Sequence, residues 1–344
     1  MSNSITDRTF GIEIECFLNQ DRGAFVDNFN AMSSDDRKNQ SIHYAPDSYG
    51  SWLNDKWILG YDGTVRSTAE NQRSSVELTS CPIKFSELDS IKPIIKKLGG
   101  ATVNKNCGFH CHIDAKDLSI KDVKKIMINY LIYEEVIAFM HPYSRRWNAG
   151  YAASTRNVNT SQIDNAFRNA TTNDLIKTIR RASNWERLFM SCSGFDPRYV
   201  KLNIKGLYQY HTRTGAPSGR TGTIEFRQHG GTVDQDKMIA WISFCYQMVE
   251  SARYAKCDAL QNDTHHVPFA RKKRRLFDKI RKRLSKGFDS EEEFLDSYLF
   301  KRYTASRKFL IKRISWFMGP ANRLTESERQ LVNRTRLNGG TDVQ

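Results

Sequence analysis

The sequence predicts an α+β fold, with a largely antiparallel sheet that has a concave polar face and helices packed on its other face. Three observations point to it. Four strand-like segments alternate charged or imidazole side chains with apolar ones. Their apolar alternates define one side that helices must cover. Helical patterns fall between the strands without a regular βαβ rhythm, which argues against a parallel sheet.

The first strand spans residues 8–18. Within it, Phe10-Gly-Ile-Glu-Ile-Glu-Cys16 sets Glu13 and Glu15 on one face and Ile12, Ile14 and Cys16 on the other, because side chains two apart in a strand share a face. Residues 19–55 are polar and punctuated, and read as a long excursion with room for one short helix. Trp57-Ile-Leu-Gly-Tyr-Asp62 reads as a strand ending at an Asp62-Gly63 turn. Ser75-Val-Glu-Leu-Thr79 puts Glu77 on a polar face and closes at Cys81-Pro82. Ser86-Glu-Leu-Asp89 has a capping pattern and opens a helix to about Leu98, stopped by Gly99-Gly100. Cys107-Gly-Phe-His-Cys-His-Ile113 pairs His110 with His112, with Cys107, Phe109, Cys111 and Ile113 opposite. Ser119-Ile-Lys-Asp122 caps a long helix to about Met140. Its apolar set, Val123, Ile126, Met127, Tyr130, Leu131 and Tyr133, fits helical spacing, and Pro142 ends it. Residues 160–190 read as helical, with Ile163, Phe167, Leu175, Ile176 and Ile179 buried. Tyr199-Val-Lys-Leu-Asn-Ile204 alternates as a strand with Lys201 and Asn203 on its polar face. A Gly/Pro/Ser-rich turn over 211–222 leads into Thr223-Ile-Glu-Phe-Arg227, where Glu225 and Arg227 share a face. Asp234 begins a helix to about Ala255.

The polar faces are unusual in composition. Solvated strand faces mostly carry Lys, Thr, Ser or Gln. Here they carry four glutamates, two histidines and an arginine. Converging, they would form a concave site of hard oxygen and imidazole ligands, suited to divalent cations and the phosphates they carry. Arg227 adds a planar fork for a carboxylate or phosphate. No Walker-type GxxxxGK[ST] is present and no GxGxxG follows a strand, so a nucleotide site would be of another kind. A zinc site from Cys107, His110, Cys111 and His112 is disfavoured, because alternation sets the cysteines opposite the histidines.

The chain has 344 residues, 39% hydrophobic and 26% charged, enough for one large domain or two ordinary ones. No apolar run approaches the roughly 20 residues that span a bilayer, and no apolar leader is visible at the N-terminus. Seven cysteines form no CxxC pair, and Cys16, Cys111 and Cys245 sit at apolar positions. A cytoplasmic protein with reduced thiols is expected. The net charge of +15 is uneven: residues 268–313 carry 16 Lys+Arg against 6 Asp+Glu. Within them, 270–286 reads as an amphipathic helix with Leu276, Ile280 and Leu284 in its apolar stripe. Its basic face suits nucleic acid, another polyanion or an acidic lipid surface. The plainer reading is a helix docked on the core with solvated charges.

Together these motifs resemble the amidoligase family, glutamine synthetase-like carboxylate–amine ligases related to glutamate–cysteine ligase. The resemblance is carried by Gly11-Ile-Glu-Ile-Glu15, Val76-Glu-Leu-Thr-Ser-Cys-Pro82, Cys107-Gly-Phe-His-Cys-His112 and Thr223-Ile-Glu-Phe-Arg227 with Gly231-Thr232. Asp62-Gly-Thr64 and His141-Pro-Tyr-Ser-Arg-Arg146 fit intermediate motifs. The resemblance implies an amidoligase catalytic domain over 8–255 and a basic, mostly helical extension over 256–344. It implies a half-open funnel holding ATP and two or more divalent metals, Mg²⁺ or Mn²⁺, and an acyl-phosphate route to an amide. The partners would be a carboxylate substrate and an amine acceptor: a small molecule, peptide or modified polymer. Glu13, Glu15, Glu77, His110 and Glu225 would be metal ligands. His112 would contact ATP phosphate or metal, and Arg227 the phosphoryl group or substrate carboxylate. Arg145, Arg146 and Asn203 would contact the nucleotide. The excursion over 19–55 or the 205–222 loop could shield the site from water. Two alternatives stay open: a guanidino-kinase-like phosphotransferase, which makes no amide, and a nucleic-acid-binding protein without catalysis.

Overall fold

A computed structural model of the chain describes residues 7–31, 42–45, 56–61, 65, 75–138, 141, 145, 148–149, 152–153, 172–193 and 199–251. Its strands are β1 (Thr9–Phe17), β2 (Ile42–Ala45), β3 (Trp57–Gly60), β4 (Ser75–Thr79), β5 (Ile83–Lys84), β6 (Gly108–Asp114), β7 (Asn148–Ala149), β8 (Ala152–Ala153), β9 (Leu202–Asn203) and β10 (Thr223–Gly230). Its α-helices are α1 (Arg22–Ala31), α2 (Ile91–Lys97), α3 (Ile120–Ala138), α4 (Thr172–Arg181), α5 (Trp185–Ser193), α6 (Lys205–Thr212) and α7 (Gln235–Ser251).

Among the described residues, eight strands form one open sheet in the order β2-β3-β4-β1-β6-β10-β9, with β5 pairing the start of β1. Every pairing in it is antiparallel except β2 with β3. β7 and β8 pair antiparallel in a separate two-stranded sheet. The fold is therefore mixed α+β, as the sequence predicts.

The alternation in the sequence becomes the division between site and core. Ile12, Ile14, Cys16, Val76, Leu78, Phe109, Cys111, Ile113, Ile224 and Phe226 are fully buried, in one cluster with residues of α2, α3 and α7. Side chains of this size contribute roughly 1.5–3 kcal/mol each when buried. A slip of one residue would exchange this set for carboxylates, so the hydrophobic pattern fixes the register. That register sets Glu13 opposite His110 and Glu15 opposite Glu77. It sets Glu225 opposite His112 on one side and Asn203 on the other.

Several elements differ from the sequence reading. Ser86 does not cap a helix. Its hydroxyl donates to Asp7 (2.8 Å), Phe85–Ser90 winds as a 3-10 turn, and α2 starts only at Ile91. Ser119 does cap α3 as expected, accepting from the Asp122 N–H at 3.3 Å and donating to its carboxylate at 2.6 Å. Of the helical stretch expected over 160–190, the described residues, from 172 on, form two helices, and Ile163 and Phe167 lie outside them. Ala182 to Asn184 interrupts it, and the Asn184 side chain accepts from the Arg187 N–H (2.9 Å) at the start of α5. Helix α6 occupies what the sequence suggests is a loop.

Lys201 is not on the polar face. β9 is only two residues long, so alternation does not reach it. Its side chain is fully buried and pairs with Glu134 of α3 at 3.1 Å. Cys107 precedes β6 and packs with Phe17 and Val65, apart from the main core, because the strand begins only at Gly108. A bulge in β10 between Phe226 and His229 reverses the alternation there. His229 pairs with Phe109 and packs against Trp241 and His141. Among the described residues no helix is long and apolar enough to cross a membrane. The Asp62-Gly63 turn, Arg146 and the basic segment over 270–286 lie outside the described residues.

Candidate active site

The polar faces of β1, β6 and β10 converge. Glu13 bridges the two histidines, with Oε2 at 2.8 Å from His110 Nδ1 and Oε1 at 3.0 Å from His112 Nε2. Glu225 Oε1 lies 3.8 Å from His110 Nδ1 and 3.8 Å from His112 Nε2, and accepts a short hydrogen bond from Arg227. One ligand atom from each of Glu13, His112 and Glu225 lies within 4.8 Å of the others, with both Glu225 and His112 buried.

Beside this trio is a second acidic group. Glu15 Oε1 is 3.7 Å from His110 Nε2, and its other oxygen accepts the Gly108 N–H at 2.5 Å. Glu77 faces Glu15 across the β1–β4 pair and accepts from the Thr79 hydroxyl at 3.3 Å. Arg145 is buried, and its guanidinium donates to the Cys107 carbonyl. Burial pulls its basicity down, while the nearby Glu15 opposes this.

The electrostatics are tightly balanced. Burial alone would raise the Glu13 carboxyl, but His112 and His110 hold it well below the usual carboxylate range. Burial likewise disfavours ionised Glu225, and Arg227 and His112 outweigh it. The His112 imidazolium is opposed by burial yet favoured by Glu13 and Glu225, so its pKa is raised. Arg227 is held charged by Glu225 and Glu13 against the cost of burial. The raised His112 pKa thus reflects the two carboxylates, Glu13 and Glu225, that flank its ring.

The structure thus brings together Glu13, Glu15, Glu77, His110, His112, Glu225, Arg227 and Asn203 on one face. Asn203 meets Glu225, with its amide nitrogen 2.8 Å from Glu225 Oε2. Thr223 is a participant the sequence reading did not single out: its hydroxyl is 3.4 Å from His112 Nδ1 and 2.9 Å from the Thr221 hydroxyl. Its signal was parity, since 223, 225 and 227 share a face. No cysteine joins the carboxylate–imidazole cluster among the described residues.

A family model described as "Putative amidoligase enzyme" matches residues 6–249. That span contains every strand and helix of the site except the last two residues of α7. No curated protein matches the chain. With its motifs ordered along β1, β4, β6 and β10 and the family match covering most of its length, the chain belongs to the amidoligase family.

Proposed function

We propose that the chain is an ATP-dependent carboxylate–amine ligase on a glutamine synthetase-like fold, using divalent cations and a small-molecule or peptide substrate. The observation that carries this reading is the convergence of Glu13, His112 and Glu225 with Arg227 on one buried polar face.

The donor set fits a hard cation. Mg²⁺ or Mn²⁺ at about 2.1 Å from its ligands brings neighbouring donors to about 3 Å and opposite ones to about 4.2 Å. His112 Nε2 stands 3.0 Å from Glu13 Oε1 and 3.8 Å from Glu225 Oε1, within that range. Two carboxylates with one imidazole also suit these ions chemically. Glu13, Glu225 and a histidine would hold one cation, and Glu15 with Glu77 would contribute to a second. The cations supply charge neutralisation for the phosphate oxygens.

The residues have separable tasks. Arg227, tethered by Glu225, offers its remaining N–H donors to a phosphoryl group or the substrate carboxylate. Arg145, and Arg146 beside it in sequence, would add positive charge for the nucleotide. In the reaction, the substrate carboxylate oxygen takes the γ-phosphoryl group of ATP and ADP leaves. The amine nitrogen then attacks the acyl carbon, phosphate leaves, the amide forms and the nitrogen loses its proton. Catalysis of this kind rests on positioning and charge stabilisation more than on covalent participation by the protein.

The test is mass spectrometry of reactions containing ATP, Mg²⁺ and a metabolite extract, with Glu13→Ala as control. The expected result is ADP, phosphate and a new amide product. Loss of one carboxylate should lower the rate roughly 10²-fold or more. AMP and pyrophosphate as products, or unchanged turnover by Glu13→Ala, would overturn the reading.

A further inference from the structure

Asn203 is buried, with both ends of its side chain engaged. Its Oδ1 accepts the backbone N–H of Lys205 at 2.8 Å, in the first turn of α6. Its Nδ2 donates to Glu225 Oε2 at 2.8 Å. These two contacts are not interchangeable. A backbone N–H can only donate, so it fixes Oδ1 on its side and forces the NH₂ toward Glu225. The amide therefore presents a donor, never an acceptor, to the carboxylate.

The consequence falls on Glu225. With Oε2 held by Asn203, the carboxylate cannot rotate without breaking that bond. Oε1 is left facing Arg227, His110 and His112. The β9–β10 pairing sets Asn203 directly across from Glu225, so the bond spans one rung of the sheet. The same side chain thus also holds the first backbone N–H of α6, whose ring pairs Phe189–Tyr208 and Trp185–His211 anchor it to α5. The anchor is thus itself held by a packed helix pair.

We infer that Asn203 is a positioning residue that acts through Glu225, aiming its Oε1 into the cation site, and is not a nucleotide contact. This rests on the proposed role of Glu225 as a cation ligand. Partners that orient metal ligands are typically worth 10–100-fold in metal affinity.

The test is Mn²⁺ affinity by titration calorimetry on the full chain, in a double-mutant cycle with Glu225→Ala. Asn203→Ser is the main variant. Its hydroxyl is able to accept the Lys205 N–H but is too short to reach Glu225, and it adds no charge. Asn203→Thr, better suited to a strand, serves if the serine variant does not fold. The expected result is Mn²⁺ binding weakened roughly 10–100-fold by Asn203→Ser in the wild-type background. In the Glu225→Ala background the same change should cost no more than about twofold, since the carboxylate it orients is gone. Equal losses in both backgrounds, or no loss in the wild type, would overturn the inference. Wild-type-like Mn²⁺ binding by Glu225→Ala alone would instead overturn the cation-site reading beneath it.

Discussion

Lys201→Met should be among the most destabilising single substitutions in the chain. Lys201 is fully buried and Glu134 is 2% exposed, with Nζ and Oε1 3.1 Å apart. The pair ties α3 to the segment that leads into β9. The Lys201 carbonyl in turn accepts the Arg227 N–H at 2.8 Å, so the pair also supports the backbone of a site residue. Removing the ammonium strands a carboxylate in a region that already holds the buried Tyr130 hydroxyl, which burial and Glu134 push toward higher pKa. Breaking a buried pair from one side costs about 3–5 kcal/mol, because the surviving charge keeps its desolvation penalty. That is a large part of the roughly 5–15 kcal/mol available to a domain. Replacing both partners, as in Lys201→Met with Glu134→Leu, should recover most of the loss. The assay is equilibrium urea unfolding of the two variants and the wild type, followed by circular dichroism. A cost below about 1 kcal/mol for Lys201→Met would mean that Glu134 finds water or another donor. A double variant no better than the single one would mean the loss is packing, not charge.

Other outcomes follow from the same geometry. Gly231→Ala would place a Cβ 2.4 Å from Cys107 Cβ and 3.1 Å from its carbonyl carbon, against backbone that cannot yield cheaply. It should cost about 1–3 kcal/mol in unfolding experiments, and lower turnover by moving the Cys107 carbonyl that holds both Gly231 N–H and Arg145. In chelator-treated protein, stability should depend on pH through the site. Glu13 and Glu225 are lowered, so their contribution is present above the ordinary glutamate value of 4.5 and fades as pH falls through their folded values. His112 is raised, so its contribution is complete below the ordinary histidine value of 6.5 and fades as pH rises through its folded value. Melting temperature attributable to the trio should therefore be greatest between these two values, and Glu13→Gln should flatten the profile. Because cation binding needs a neutral imidazole, Mn²⁺ uptake about one pH unit or more below the raised His112 pKa should release close to one proton, read from the buffer dependence of the binding enthalpy.

Much of the site was legible because strand periodicity is short and strict. In β1 the sequence Ile-Glu-Ile-Glu admits one burial pattern, and the same holds for Val76-Glu-Leu78 and Phe109-His-Cys-His112. Once the apolar sets are buried together, the carboxylates and imidazoles must share the other face. What alternation cannot report is pairing. Nothing local says that Glu13 lies between both histidines, or that Asn203 stands across from Glu225. Those follow from register across strands distant in sequence. Alternation also fails where strands are too short or irregular to carry it. Lys201 lies just outside a two-residue strand, and His229 lies beyond a bulge, so both turn inward. Ser86 shows a local signal overridden from afar, its hydroxyl captured by Asp7, 79 residues earlier in the chain. The break between α4 and α5 was readable in principle, since Asn184 is a good N-cap residue. The hydrophobic spacing on both sides of it hid the interruption.

The most direct measurement is anomalous diffraction from crystals of the protein grown with Mn²⁺, recorded at the manganese absorption edge. A peak within bonding distance of Glu13, Glu225 and a histidine of β6, lost in Glu13→Ala crystals, is the expected result. No peak on this face of the sheet, or a peak unaffected by Glu13→Ala, would contradict the assignment of these residues as a cation site.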